Sequence, residues 1–369
     1  MTIGVDARFW SQTGVGRYIR ELIKELAKQD QKNSYVLFLT PADFNTVSLP
    51  ANFQKVCTAI RWHTVAEQLI LPIHYLWANL DVLLVPNFNV PLLYPKKLVT
   101  TVHDLTLLRT RTGRSTRLPY PVYLIKYLAG CLVHFAAVKK SSKIFTVSQY
   151  VKTDLVKTFG LKPEKIILTP NAVVGSFMRC SEEKTREVLR KYGIDQPYLF
   201  YVGNACLHKN LWRLVKAFEL LSRTEPELLL VLGGKMDFNY ERLAKQFSGL
   251  ACAQRIRLTG FLPDADLPGF YSGAGLYVNP SLYEGFGIQV LEAFACGCKV
   301  ACANSTSLPE VGGALAAYFD PNDEQDMAAV IKRTLHETAP DFAAKAQKHV
   351  RQYSWSTSAQ TVLQTLQSL

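Results

Sequence analysis

The chain has 369 residues and carries 42 Lys and Arg against 30 Asp and Glu, a formal net charge of +12. With 48% hydrophobic and 20% charged residues it has ample material for a core, which excludes a disordered chain, and its length suits two domains. The basic balance favours anionic partners: phosphates, nucleic acid or an anionic membrane surface.

Short apolar runs alternate with helical periodicity along the whole chain. In the first half, strands are expected at Ile3–Val5, Tyr35–Leu39, Val82–Val85, Leu98–Val102, Ile144–Val147 and Ile166–Leu168. Between the first two, Ile19, Leu22, Ile23 and Leu26 recur at helical spacing, with Glu21, Lys24, Glu25 and Lys28 opposite. Residues 172–180 are poor in periodicity and read as a junction. Strands are expected again at Tyr198–Val202, Leu228–Leu232, Ile256–Leu258, Leu276–Val278, Lys299–Ala303 and Ala316–Phe319, with helices at Leu211–Leu221 and Ala328–Leu335. Alternating strands and helices imply parallel sheets covered on both faces. The fold class is therefore α/β, with two Rossmann-like, doubly wound domains, 1–175 and 176–369, facing across a cleft. Ligands of such sheets bind beyond the carboxyl ends of the strands, so the residues just after each strand matter most.

The charge is unevenly placed. Residues 1–175 hold 22 basic and 10 acidic side chains, whereas residues 176–369 hold 20 of each. One focus is Arg109, Arg111, Arg114 and Arg117, followed by an apolar and aromatic stretch from Leu118 to Val138 and then by Lys139, Lys140 and Lys143. Nucleic-acid binding, an anionic membrane surface and a solvated loop all accommodate that pattern. The opening residues show no basic segment leading into an apolar one, and no run of about 18 uncharged apolar residues predicts a spanning helix. A cytoplasmic location is expected. The eight cysteines make no C-x-x-C pair, and Cys296, Cys298 and Cys302 are expected as reduced core thiols.

The most informative stretch is Pro280–Ala293, which follows an apolar strand and enters a helix-like segment at Ile288–Ala295. Gly285 and Gly287 let the backbone approach a ligand closely, and the helix start offers free N–H groups to an anion. Glu284 on the loop and Glu292 on the helix would accept from hydroxyls on the two sides of a diphosphate, the layout of a nucleotide sugar. Lys209, on a loop after the strand Tyr198–Val202, supplies a compact positive charge for a leaving diphosphate. Thr13-Gly14-Val15-Gly16-Arg17 is part of a dinucleotide fingerprint without its third glycine, and a plain tight turn explains it equally. His103-Asp104 directly follows a strand, where a structural and a functional histidine are equally expected. Asp264-Ala265-Asp266 matches a metal-binding D-x-D pattern but precedes a short helix, so Asp264 reads as its N-cap.

The Glu-x7-Glu spacing in EGFGIQVLEA resembles retaining GT-B glycosyltransferases, specifically glycosyltransferase family four, the group 1 glycosyltransferases. The likeness runs nearly end to end, through SQTGVGRYIRELI, TVHD, VSQYVKTDL, PNAV, YVGNACLHKNLWRLVKAFELL, RIRLTGFLPDADL and ANSTSLPEVGGALAAYFDPND. It implies an acceptor-binding N-terminal domain and a donor-binding C-terminal domain, with a final helix at about 356–369 crossing back to the first. By resemblance, Lys209, Glu284 and His103 are the catalytic set, with Glu284 and His103 on donor-sugar hydroxyls. Gly14 and Gly16 would close over the diphosphate, while Phe286, Gly287 and Ile288 cradle sugar and diphosphate. Phe261 and Leu262 would lie against the base and Glu292 against the ribose. Asn204 stands where many relatives place an arginine, and Ile288-Gln289 where many carry Leu-Pro.

The resemblance implies a metal-independent retaining hexosyltransferase with no cofactor, acting in cell-envelope or exopolysaccharide synthesis. Its donor would be a UDP-sugar or GDP-sugar, with UDP-glucose placed ahead of GDP-mannose, and its acceptor a saccharide or lipid-linked saccharide. Arg109, Arg111, Arg114 and Arg117 would meet that acceptor or the membrane, which makes the protein cytoplasmic and peripheral on the cytoplasmic membrane face. A nucleotide-sugar epimerase or hydrolase of the same fold is the alternative. A basic nucleic-acid-binding protein is the minor rival, and no nucleic acid partner is expected.

Overall fold

Parallel strands with apolar runs on both faces can be buried only if helices cover the sheet twice over, and the chain does this in two places. The computed structural model describes residues 1–110 and 116–369. They form two units: Met1–Leu108, Leu124–Asn171 and Ser354–Leu369, and then Ala172–Tyr353 with the described part of Arg109–Tyr123. The boundary thus lies four residues before the expected one.

In the first unit the strands are β1 (Thr2–Asp6), β2 (Ser34–Leu39), β3 (Phe53–Cys57), β4 (Val82–Val85), β5 (Leu98–Val102), β6 (Lys143–Thr146) and β7 (Ile166–Leu168). They pair in parallel in the order β3-β2-β1-β4-β5-β6-β7. In the second unit β8 (Tyr198–Val202), β9 (Leu229–Gly233), β10 (Ile256–Gly260), β11 (Leu276–Asn279), β12 (Val300–Ala303) and β13 (Ala317–Phe319) pair in parallel in the order β10-β9-β8-β11-β12-β13. Both orders are those of a doubly wound Rossmann-like sheet. The direction of winding reverses between β1 and β4, and between β8 and β11, which opens a crevice at the carboxyl ends of those strands.

Strand β3 was not expected. It is an edge strand reading Phe-Gln-Lys-Val-Cys, with only Phe53 fully buried, so it lacks the continuous apolar run of the central strands. The final helix, Trp355–Gln367, belongs to the first unit. Gln29 at the end of helix Gly14–Gln29 donates to the Ser356 carbonyl and hydroxyl at 3.0 Å each, and Ser358 Oγ donates to the Pro170 carbonyl at 2.7 Å. The apolar stretch after the arginines forms one helix, Tyr120–Lys140, long and apolar enough by length and composition to cross a membrane. It meets that measure without an uncharged run of about 18 residues, because Lys126 lies inside it and Lys139 and Lys140 close it. His134, Ala137 and Val138 pack inward, whereas the remaining residues are exposed or half-buried.

A buried ion cluster secures the end of β1. Arg8 donates through Nε and Nη2 to the two Asp6 carboxylate oxygens at 2.9 and 2.7 Å, and Nη2 reaches Glu67 Oε1 at 2.6 Å. Glu67 Oε2 accepts the His63 N–H at 2.7 Å, so the cluster ties the loop after β3 to β1. Burial opposes the charge of Arg8, but the neighbouring carboxylates outweigh it and hold its pKa above the ordinary value. Removing the arginine would leave two buried carboxylates side by side. Arg8→Ala should therefore lower the stability of the first unit by about 3–5 kcal/mol in urea unfolding, and Glu67→Gln by less, since the amide oxygen still accepts.

Candidate active site

The switch point of the second sheet brings two loops together, one after β8 and one after β11. The first carries Lys209 and the second Glu284. Lys209 Nζ lies 2.7 Å from Glu284 Oε1, which also accepts the Ser281 hydroxyl at 2.8 Å. The two side chains are 15% and 12% exposed, so the pair is sheltered yet reachable by a ligand.

Main-chain bonds hold this pair in place. Leu282 N–H donates to the His208 carbonyl at 2.8 Å. Asn210, at φ 59°, donates through Nδ2 to the Pro280 carbonyl at 3.1 Å and the Pro321 carbonyl at 2.7 Å. Asparagine tolerates the left-handed backbone better than most residues, and its amide reaches both neighbouring loops from there. A third loop, after β12, grips Glu284 itself. Thr306 Oγ1 accepts the Glu284 N–H, and Ser307 Oγ donates to the Glu284 carbonyl, both at 3.0 Å. Ser305 Oγ donates to the Ser281 carbonyl at 2.8 Å. Asn210, Ser305, Thr306 and Ser307 were not singled out in the sequence. The available signals were the asparagine just before helix Leu211–Leu221 and the run of hydroxyls directly after a strand.

Gly287 caps the helix Ile288–Ala295 at φ 84°, and no side chain bonds to that cap. A Cβ there would come within 2.6 Å of Leu308 Cδ2, so glycine is required by both conformation and space. Val290 N–H closes onto the Gly287 carbonyl at 3.0 Å, and a helix start of this kind suits an anion. Phe286 is buried edge-on to Tyr353 at 5.6 Å, and Ile288 is half-buried. Glu292 is 2% exposed and accepts from Tyr271 Oη at 2.8 Å. Burial and the charges of Glu284 and Glu292 push the Tyr277 phenol well above its ordinary pKa, which keeps it protonated.

Of the remaining donor-side residues, Phe261 presents an exposed ring, whereas Leu262 is buried against Gly233. Asn204 is exposed, and its Oδ1 accepts the Cys206 N–H at 3.2 Å, closing the loop locally. Below it, Tyr240 Oη makes 3.0 Å contacts to the Gly203 and Gly233 carbonyls, and a Cβ on Gly234 would lie 2.1 Å from the Gly203 oxygen.

In the first unit, His103 follows β5 and its Nε2 lies 2.9 Å from the Pro86 carbonyl. The proton therefore sits on Nε2, leaving Nδ1 as an acceptor for a hydroxyl. Burial lowers the His103 pKa, partly offset by the Pro86 carbonyl and Asp104. Asp104 Oδ1 accepts the Thr106 N–H at 2.7 Å and so orders the loop. Gly14 opens the helix Gly14–Gln29 with nothing near its missing side chain, whereas a Cβ on Gly16 would sit 2.6 Å from both the Phe9 and Trp10 carbonyls. Gly14 thus leaves room for a ligand, while Gly16 is required by local packing.

Of the four arginines singled out in the sequence, two are described. Arg109 is exposed, Arg111 and Arg114 lie outside the described residues, and Arg117 pairs with Glu241 at 2.8 Å while stacking 5.0 Å over Phe238. The N-cap of helix Leu267–Gly273 is Asp266, not Asp264 as expected, and Asp266 accepts from Tyr192 at 2.8 Å. Among the described residues no three His, Cys, Asp or Glu side chains gather as metal ligands. Cys296, Cys298 and Cys302 are buried free thiols, and burial pushes the Cys298 pKa up to about 12.

A family model described as Glycosyltransferase Family 4 matches residues 12–174, and one described as Glycosyl transferases group 1 matches residues 182–354. The chain belongs to the group 1, family-four glycosyltransferases. This glycosyltransferase is 29% identical over 370 residues to O-antigen chain mannosyltransferase B of Escherichia coli, with 95% of each chain covered. It is 28% identical over 271 residues to O-antigen chain mannosyltransferase RfbU of Salmonella typhimurium, covering 72% of each. Its fold is GT-B. Anabaena HepE, solved in complex with UDP and glucose, matches it with a TM-score of 0.77 over 100% of this chain and 99% of that one, at 17% identity.

Two outcomes follow from this geometry. Asn210→Ala removes both carbonyl contacts and strains the left-handed backbone, so it should cost about 1–3 kcal/mol in denaturant unfolding of the second unit. His103 should titrate below 6.5 in an NMR pH series. Because its folded pKa is depressed, its contribution to stability is present above the unfolded value and is lost as pH falls through the folded value. A ring still protonated at pH 7 would contradict the assigned tautomer.

Proposed function

We propose that this glycosyltransferase moves a mannosyl group from GDP-mannose, with retention of configuration, to a saccharide acceptor carried on a lipid, in the assembly of an O-antigen-type polysaccharide. The observation that carries the reading is the sheltered Lys209–Glu284 pair beside the glycine-capped helix at the switch point. A sugar diphosphate placed there exchanges one ionic partner for another. Lys209 turns to the departing diphosphate, the helix N–H groups receive the phosphate oxygens, and Glu284 accepts from sugar hydroxyls. These groups supply the positive charge that a metal provides elsewhere, so the reaction is read as metal-independent and without a cofactor. Glu292, held by Tyr271, is the ribose ligand on this reading, with Phe261 against the base.

Retention is read as same-face attack. The acceptor hydroxyl oxygen bonds to the anomeric carbon as the bond to the phosphate oxygen breaks, and that phosphate oxygen takes the hydroxyl proton. No protein base is required. His103, neutral with Nδ1 as acceptor, is read as a partner for a sugar hydroxyl. The donor order given by the sequence is reversed here. Two mannosyltransferases at 28–29% identity weigh more than a UDP complex at 17%, which speaks to fold alone. The basic excess of residues 1–175 fits a lipid-linked acceptor at the cytoplasmic membrane face.

A thermal-shift series tests the reading. GDP-mannose should raise the Tm with or without EDTA, and UDP-glucose should do so less. Lys209→Ala should lower kcat/KM about 100- to 1,000-fold, as for the loss of one group that stabilises developing charge. The product, examined by NMR, should keep the donor's anomeric configuration. Stabilisation by no nucleotide sugar would remove the proposal, a preference for UDP-glucose would overturn its donor, and isomerised donor without acceptor would replace transfer by epimerisation.

A further inference from the structure

The helix Tyr120–Lys140 turns its apolar side chains the wrong way for a soluble domain. Ile125, Leu128, Leu132 and Phe135 are 68%, 56%, 61% and 51% exposed. Their spacing of three, four and three residues puts them in one stripe, about 15 Å long at 1.5 Å per residue. The opposite face is anchored, with His134, Ala137 and Val138 packed in the first unit. That anchoring and Lys126 are incompatible with a helix threaded through a bilayer, but they suit one lying along its surface.

The stripe ends in a basic pocket. A cavity of about 470 Å³ is lined by Lys139, Lys143, Lys162 and Lys165, together with Ser142, Gly160, Leu161 and Glu164. Two of these lysines are committed to the backbone. Lys165 Nζ donates to the Val138 and Lys139 carbonyls at the end of the helix, at 2.8 and 3.1 Å, and Lys143 Nζ to the Glu164 carbonyl at 2.9 Å. Lys139 and Lys162 are exposed, and Lys139 Nζ lies 5.6 Å over the Phe135 ring, so apolar stripe and cationic pocket are continuous.

We propose that this stripe and the lysine pocket at its end form a docking face for an anionic phospholipid bilayer. The four apolar side chains enter the boundary between headgroups and acyl chains, while Lys139 and Lys162 stay at the level of the phosphates. Charge favours lipid over a second copy of the chain, because the half carrying this face holds the whole +12 excess and would repel itself. The inference rests on the proposed lipid-linked acceptor for its purpose, though not for its physics. It assigns membrane contact to the helix and its end rather than to the arginines before it.

Flotation of the full chain with phosphatidylcholine vesicles, with and without about a third phosphatidylglycerol, tests this. The parent protein should float with the anionic vesicles and little with the neutral ones. Ile125→Ser/Leu128→Ser/Leu132→Ser should bind about tenfold less or weaker still. Lys139→Glu/Lys162→Glu should lose the preference for anionic vesicles. Both variants should keep the parent's Tm and its donor-induced shift, so a failed donor reading and a failed membrane reading remain distinguishable. Parent protein that does not float, or variants that float equally well, would overturn the proposal. So would light scattering that finds a dimer in the parent and a monomer in the triple-serine variant, because the stripe would then be a protein interface.

Discussion

A carboxylate stationed at the carboxyl end of a buried parallel sheet must be held, because its own strand stops where it is needed. Glu284 lies five residues beyond β11 and has no ladder to fix it. Its N–H and carbonyl are both taken by hydroxyls of the loop after β12, and its side chain is taken by Lys209 and Ser281. Three crossovers of the second sheet therefore meet in one residue. The parallel order of β8, β11 and β12 is what puts those loops side by side, and the donor chemistry proposed for the chain depends on that adjacency.

The two units solve the same problem with different electrostatics. At the end of β1, Arg8 is shared between Asp6 and Glu67, all three almost wholly buried. Such a cluster has no room to exchange partners, and its work is to fix loops. At the end of β8, Lys209 and Glu284 keep a margin of exposed surface, so either group can be taken over by a ligand. The same place in the same topology is structural in one unit and carries the proposed chemistry in the other, and residual solvent access separates them.

Much of this was legible in the residues. The central strands are apolar runs with few competing signals, and β4, β5 and β8 fall where the periodicity puts them. Edge strand β3 escaped because a strand exposed on one side has no such run. Lys209 and Glu284 were legible as charged residues after strands, but their contact spans 75 positions and depends on the crossover order. Glycines divided in a way that sequence alone does not show. Gly14 faces open space, Gly16 is forced by two carbonyls, and the two look alike in a motif. Leu262 and Phe261 are also adjacent and apolar, yet only the structure separates the buried side chain from the exposed one.

The hydroxyl grip on Glu284 makes the loop after β12 a remote adjuster of the proposed donor site. Thr306 takes a positive φ of 53° to present its oxygen, so the geometry of one loop is stored in the backbone of another. Changes at Ser305 or Ser307 could shift the carboxylate by fractions of an ångström while leaving every proposed donor contact chemically unchanged. Substrate preference in such a protein could drift through a residue that never touches the sugar, and redesign of its donor choice has a handle outside the pocket wall.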